Sequence, residues 1–113
     1  MADDCVFCKI AKGEIPAKFV AESTTCVAFR DLAPQAPVHV LVIPRAHVPS
    51  LNEVASPALM ADVLQMAREI AKQEGIAASG YRVVFNTNDD GGQSVHHLHA
   101  HVMGGRHMAW PPG

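Results

Sequence analysis

The sequence predicts an α+β domain, an antiparallel sheet of about five strands with one long and one short helix on one side of it. Three observations carry that prediction. Short β-prone runs alternate with turn residues along most of the chain, one segment repeats apolar residues at helical spacing, and 113 residues suit a single domain. Hydrophobic residues make up 49% and charged residues 18%, the balance of a chain with a core to bury.

Each element follows from local signals. Cys5 to Ile15 reads as a short helix stopped by Gly13 and then Pro16. Lys18 to Glu22 and Thr25 to Arg30 read as strands joined by Glu22-Ser23-Thr24. Leu32 to Pro37 carries prolines that cannot donate to a ladder, so it is a loop. His39 to Ile43 is a strand closed by Pro44. Ser56-Pro57 opens the long helix, since serine accepts the orphan N–H groups and proline suits the first turn. Leu59, Val63, Met66 and Ile70 form its apolar stripe, and Gly75 ends it. Tyr81 to Asn86 is a strand, Asn88 to Gly92 a loop and Val95 to Met103 the last strand. Gly104-Gly105 breaks that strand, and Trp110-Pro111-Pro112-Gly113 makes an extended tail. The whole chain, 1–113, reads as one domain with residues 104–113 as its tail.

Charge and composition narrow the partners. A net charge of -2 lacks the basic footprint of a DNA- or RNA-binding protein. No apolar run approaches the ~18 residues of a membrane span. Met1-Ala2-Asp3-Asp4 is acidic and unlike a signal peptide, which favours the cytoplasm, where three cysteines are thiols or metal ligands rather than disulfides.

Function concentrates in His97-Leu98-His99-Ala100-His101-Val102-Met103. In a strand, alternate side chains share a face, so three imidazoles stand about 7 Å apart on one side while Leu98, Ala100 and Val102 face the core. A plain polar strand face would rarely choose histidine. A metal site of these three alone would need a bend to make them converge. Gly91-Gly92-Gln93-Ser94 leads into the segment, offering free backbone N–H groups and a hydroxyl to an anion. A neutral imidazole can attack phosphorus if its other nitrogen is held as a donor, and charge growing on phosphoryl oxygens needs donors fixed in advance.

These residues resemble the motif of the histidine triad superfamily. The resemblance extends through Lys9-Ile10, Gly13 to Lys18, Ala28 to Asp31, Pro34 to His39, Leu41 to Pro44, Gly91 to Val95 and Gly104 to Arg106. The ending Trp110-Pro111-Pro112-Gly113 is similar to the histidine triad nucleotide-binding branch, whose members hydrolyse adenosine phosphoramidates and aminoacyl adenylates. The resemblance implies a purine nucleoside phosphoramidase, with a P–N or acyl-phosphate bond cleaved through a nucleotidyl-histidine intermediate. His99 would be the nucleophile, His101 the phosphate contact, His97 an orienting residue and His39 a further member of the imidazole network. Asn86, Gly92 and Ser94 would donate to the phosphate, and Asp31 would accept from the ribose. Val6, Phe7, Ile10, Ile15, Phe29 and Leu32 would wall the base. The same resemblance implies a homodimer with sheets joined edge to edge and the tail near the partner's active site.

Cys5-Val6-Phe7-Cys8 is a C-x-x-C pair without a thioredoxin-like setting. Some bacterial members of the superfamily bind structural zinc through such a pair and two histidines, which match His47 and His97. Cys5, Cys8, His47 and His97 are thus the expected zinc set, whereas eukaryotic members of the branch usually lack the cysteines. Cys26 is simply a small buried residue. Three other functions compete with this reading, the last two belonging to sister branches that share the fold. A nucleotide- or partner-binding module with incidental hydrolysis remains compatible with the sequence. A transferase would carry glutamine in place of His101, and the tail differs from that of dinucleoside polyphosphate hydrolases.

Overall fold

The sheet grows around Val38–Pro44, whose run of Val, Leu and Ile is buried on both faces. A computed structural model describes residues 4–113, so most of the acidic start, Met1 to Asp3, lies outside the described residues. In chain order the elements are α1 (Val6–Ala11), β1 (Phe19–Glu22), β2 (Cys26–Arg30), β3 (Val38–Pro44), α2 (Pro57–Gln73), β4 (Tyr81–Val84) and β5 (Ala100–Gly104). The five strands are antiparallel in the order β1-β2-β3-β5-β4. The sequence thus marks both α-helices and all five strands, with most ends displaced by one or two residues, but not the short 3-10 turn Leu51–Glu53 that precedes α2.

The helices lie on opposite faces of the sheet, not together on one side. Alternation explains it. Ala28, Val40, Val42, Ala100 and Val102 point one way and bury Val63, Met66, Ala67, Ile70 and Ala71 of α2. Val27, Phe29, Leu41 and Ile43 point the other way and receive Phe7 and Ala11 of α1. At the start of α2 the Ser56 hydroxyl accepts from Leu59 N at 3.3 Å, with Pro57 in the first turn.

The last strand is much shorter than Val95 to Met103. Its pairing with β3 ends at Val42 and Ala100. Before that point the chain leaves the ladder: Leu98 N donates to the Val48 carbonyl at 2.6 Å, and the His97 ring takes the Pro44 carbonyl. Pro44 has no N–H to offer a further rung. His97 and His99 therefore precede the strand, and His101 alone of the three sits within it. The tail folds back beside Arg82, Val84 and Met103, on one face of β4 and β5. Arg82 Nη2 donates to the Met108 and Ala109 carbonyls, and its guanidinium lies 5.9 Å from the Trp110 ring centre.

Candidate active site

Two adjacent clusters divide five of the seven histidines between them. His99 and His101 have ring centres 5.0 Å apart with their planes tilted by 59°, and the His39 ring lies 5.2 Å from that of His101. All three are on the α1 side, because His101 pairs with Leu41, and His39 lies on the same face two residues before it. His97 turns instead toward His47, ring centres 5.1 Å apart, and toward Cys5 and Cys8. Phe7 stands edge-on between the two groups, 5.9 Å from His97 and 5.1 Å from His99. Phe7 is thus a buried spacer against Phe29 rather than part of an open wall.

Hydrogen bonds fix the ring protons. His99 Nδ1 is 2.7 Å from the His97 carbonyl, which can only accept, so Nδ1 carries the hydrogen and Nε2 keeps the lone pair. His97 Nε2 donates to the Pro44 carbonyl at 2.8 Å, which leaves its Nδ1 lone pair facing the thiols. His101 Nε2 is buried with no hydrogen-bond partner among the described residues. A buried donor left unmatched is costly, so a ligand oxygen there has a ready-made partner.

The sulfur and imidazole cluster has the spacing of a metal site. Cys5 caps α1, accepting from Cys8 N at 3.3 Å, so both sulfurs sit at one helix end. Cys5 Sγ is 3.3 Å from His97 Nδ1, Cys8 Sγ is 3.4 Å from the same atom, and Cys8 Sγ is 3.2 Å from His47 Nδ1. Tetrahedral zinc with its usual bond lengths sets sulfur and nitrogen about 3.5 Å apart. All four donor atoms lie within 4.8 Å of one another.

The remaining residues fall into three hollows. Val6, Ile10, Ile15, Phe29 and Leu32 line an apolar cavity of about 430 Å³ with Lys18 at its edge. Asp31 follows β2, its Oδ1 accepting from Ala33 N at 2.8 Å and its Oδ2 3.4 Å from His39 Nε2. Ser94 borders a different hollow with Cys5, Val6 and His47, and Asn86 borders a third beside the tail. Val6 alone touches both of the first two, so the base-side residues and Ser94 meet across it. Gly92 adopts φ +76, and a side chain at Gly91 would run into the Thr87 main chain, so both glycines are required by the turn itself.

A model of the HIT domain matches residues 12–108. The chain belongs to the HIT domain family. Among its relatives, an uncharacterized HIT-like protein of Synechococcus elongatus is 51% identical over the full length of both chains. The purine nucleoside phosphoramidase of Escherichia coli is 44% identical over 94% of this chain and 91% of its own. A HIT family hydrolase from Legionella pneumophila superposes with a TM-score of 0.94 at 51% identity, covering 97% of this chain and 100% of that one. A histidine triad nucleotide-binding protein from Candida albicans gives 0.84 at 31%, covering 96% and 83%.

One residue of this HIT domain escapes a reading of the motif. Gln93 is buried, and its carboxamide uses both ends: Oε1 accepts from Asn88 N at 3.0 Å, while Nε2 donates to the Pro49 carbonyl at 2.7 Å and the Val95 carbonyl at 3.1 Å. It ties the glycine turn to the segment bearing His47. In sequence it looks like one polar loop residue among several, and only its position beside two glycines hints otherwise.

The HIT site also titrates in a defined direction. Burial, then the neighbouring His99 and His39 rings, push the His101 pKa down from 6.5 to about 4, with Asp31 opposing. Burial lowers His97 and His99 as well. The unfolded chain therefore binds more protons than the folded one between about pH 6.5 and pH 4, so stability is full above that window and falls as pH drops through it. His101 alone should account for roughly 2 kcal/mol between about pH 7.5 and pH 5. Urea unfolding at the two pH values measures the difference, and His101→Gln should shrink it. An equal difference in that variant would contradict the assignment.

Proposed function

We propose that this protein is a hydrolase of purine nucleoside 5′-phosphoramidates and related acyl nucleotides, acting through a nucleotidyl-His99 intermediate. The observation that carries the reading is the His99 ring, whose Nδ1–H is held by the His97 carbonyl while Nε2 keeps a lone pair beside the unmatched Nε2–H of His101. His99 Nε2 attacks the α-phosphorus, and the P–N bond breaks with its electron pair leaving on nitrogen, which takes a proton from solvent. Water then adds to phosphorus, the bond to Nε2 breaks, and the products are nucleoside monophosphate and free amine. His101 donates to a phosphoryl oxygen as its charge grows, a task Gly92, Ser94 and Asn86 would share.

The apolar cavity between α1 and β2 suits a purine, and Asp31, which lies in the chain between its lining residues Arg30 and Leu32, would accept from ribose hydroxyls. The phosphoramidase from Escherichia coli, similar over almost the whole chain, supports the same substrate class. Cys5, Cys8, His47 and His97 fit a zinc ion, which when bound would cross-link α1 to the His97 segment and take no part in the chemical step. The position of β4 at an edge of the sheet supports a homodimer joined edge to edge. Among the described residues no helix is long and apolar enough to cross a membrane.

Steady-state hydrolysis of adenosine phosphoramidate, an aminoacyl adenylate and a diadenosine polyphosphate tests the reading. The first two should exceed the third in kcat/KM by at least about tenfold, the size of one well-placed interaction in the transition state. Preferred turnover of the polyphosphate would sink it.

A further inference from the structure

We infer that the main-chain N–H of Gln35 locks the tautomers of His39 and His101, and so sets which atom of His101 meets the phosphate. The inference rests on the hydrolase reading for its catalytic consequence, but not for the lock itself.

The chain of bonds runs one way. Gln35 N is 3.0 Å from His39 Nδ1, and a backbone N–H can only donate, so that nitrogen must offer its lone pair. A neutral His39 then carries its hydrogen on Nε2. Two acceptors face that hydrogen: His101 Nδ1 at 2.9 Å and the Asp31 carboxylate at 3.4 Å. His101 Nδ1, receiving a hydrogen bond, must carry a lone pair, so the His101 hydrogen sits on Nε2. That atom is the buried nitrogen with no partner among the described residues. Reversing His39 would set its Nδ1–H against the Gln35 N–H and bring the Nε2 lone pair against the Asp31 carboxylate. Both contacts are repulsive in a buried site.

The loop that supplies this N–H is itself held. Asp31 N donates to the His39 carbonyl at 3.0 Å, Ala33 N donates to Asp31 Oδ1, and Arg106 Nε donates to the Gln35 carbonyl at 3.0 Å. The prolines at 34 and 37 have no N–H to compete for His39. Gln35 is therefore a positioning residue acting through its backbone, and His101 is a permanent donor toward the substrate, never a base. The same lock explains why Asp31, His39 and His101, whose ligand atoms lie within 4.8 Å of one another, form a hydrogen-bond chain: the proton on His39 Nε2 stands where a cation would.

Nitrogen-15 NMR of the imidazoles in the ligand-free full-length protein at neutral pH reads the tautomers directly. Both His39 and His101 should show a protonated Nε2 and a bare Nδ1. An Nδ1–H form of either ring overturns the proposal. Replacing the Gln35 amide by an ester, through the α-hydroxy analogue, should let His39 populate both tautomers and lower kcat about tenfold, the worth of one buried hydrogen bond. Unshifted tautomers in the ester variant would overturn it too. His39→Leu should cost a similar factor, and His39→Gln, whose carboxamide can accept and donate at the same two points, should recover most of it. Because the spectra need no substrate, a protein with these tautomers but no turnover would refute the hydrolase reading and leave the lock standing.

Discussion

His99→Ala should lower kcat by a factor of at least about 10³ while a nucleoside monophosphate still binds. The reason is not only that a nucleophile is lost but that neither neighbour can replace it. His97 has Nε2 committed to the Pro44 carbonyl and Nδ1 turned to the two sulfurs. His101 has Nδ1 occupied by His39 and presents a hydrogen, not a lone pair, at Nε2. The His99 ring packs against Phe7, so alanine also leaves a small cavity, and His99→Asn serves as a second variant with less lost volume. Quenched single turnovers should trap a nucleotidyl adduct in the unaltered enzyme and none in either variant. Turnover within tenfold of the unaltered enzyme in both would remove His99 as nucleophile.

How much of this was legible in the sequence depends on the range of the interactions. The strands and α2 were readable because their signals are local: a serine before Pro57, a three-four apolar spacing and Gly104 after an alternating run. Helix placement was not. Which face of the sheet takes α1 is decided by Val27, Phe29, Leu41 and Ile43 facing Phe7, a contact between residues far apart in the chain. The three alternating histidines were readable as a site, but alternation implied one continuous strand. The departure at Pro44 breaks that strand and sends His97 to the thiols while His99 and His101 stay together. The tautomers depend on the carbonyls of Pro44 and His97 and on the N–H of Gln35, backbone groups that any residue other than proline at 35 would also supply. Such contributions leave no mark in residue identity, which is why Gln35 was invisible while His39 was not.

Removing the sulfur ligands should have the second large effect, and it separates a structural metal from an incidental thiol pair. The purified protein should carry about one zinc per chain by elemental analysis, and Cys8→Ala should carry none. The sheet and α2 bury their core without α1, so the variant should still fold, but with a thermal midpoint lower by roughly 10–15 °C, equivalent to a few kcal/mol for a domain of this size. Chelator added to the unaltered protein should shift its midpoint toward that of the variant and leave Cys8→Ala where it is. Turnover should fall less than in His99→Ala, by about 10- to 100-fold. The His97 carbonyl would still accept from His99 Nδ1, yet the segment bearing it would lose its anchor on α1 and on His47. A protein purified without metal, together with an unmoved midpoint in Cys8→Ala, would reduce the cluster to a packed set of thiols and imidazoles. The His97 ring would then be held by its bond to the Pro44 carbonyl, its contact with Phe7 and the thiols and His47 packed around it.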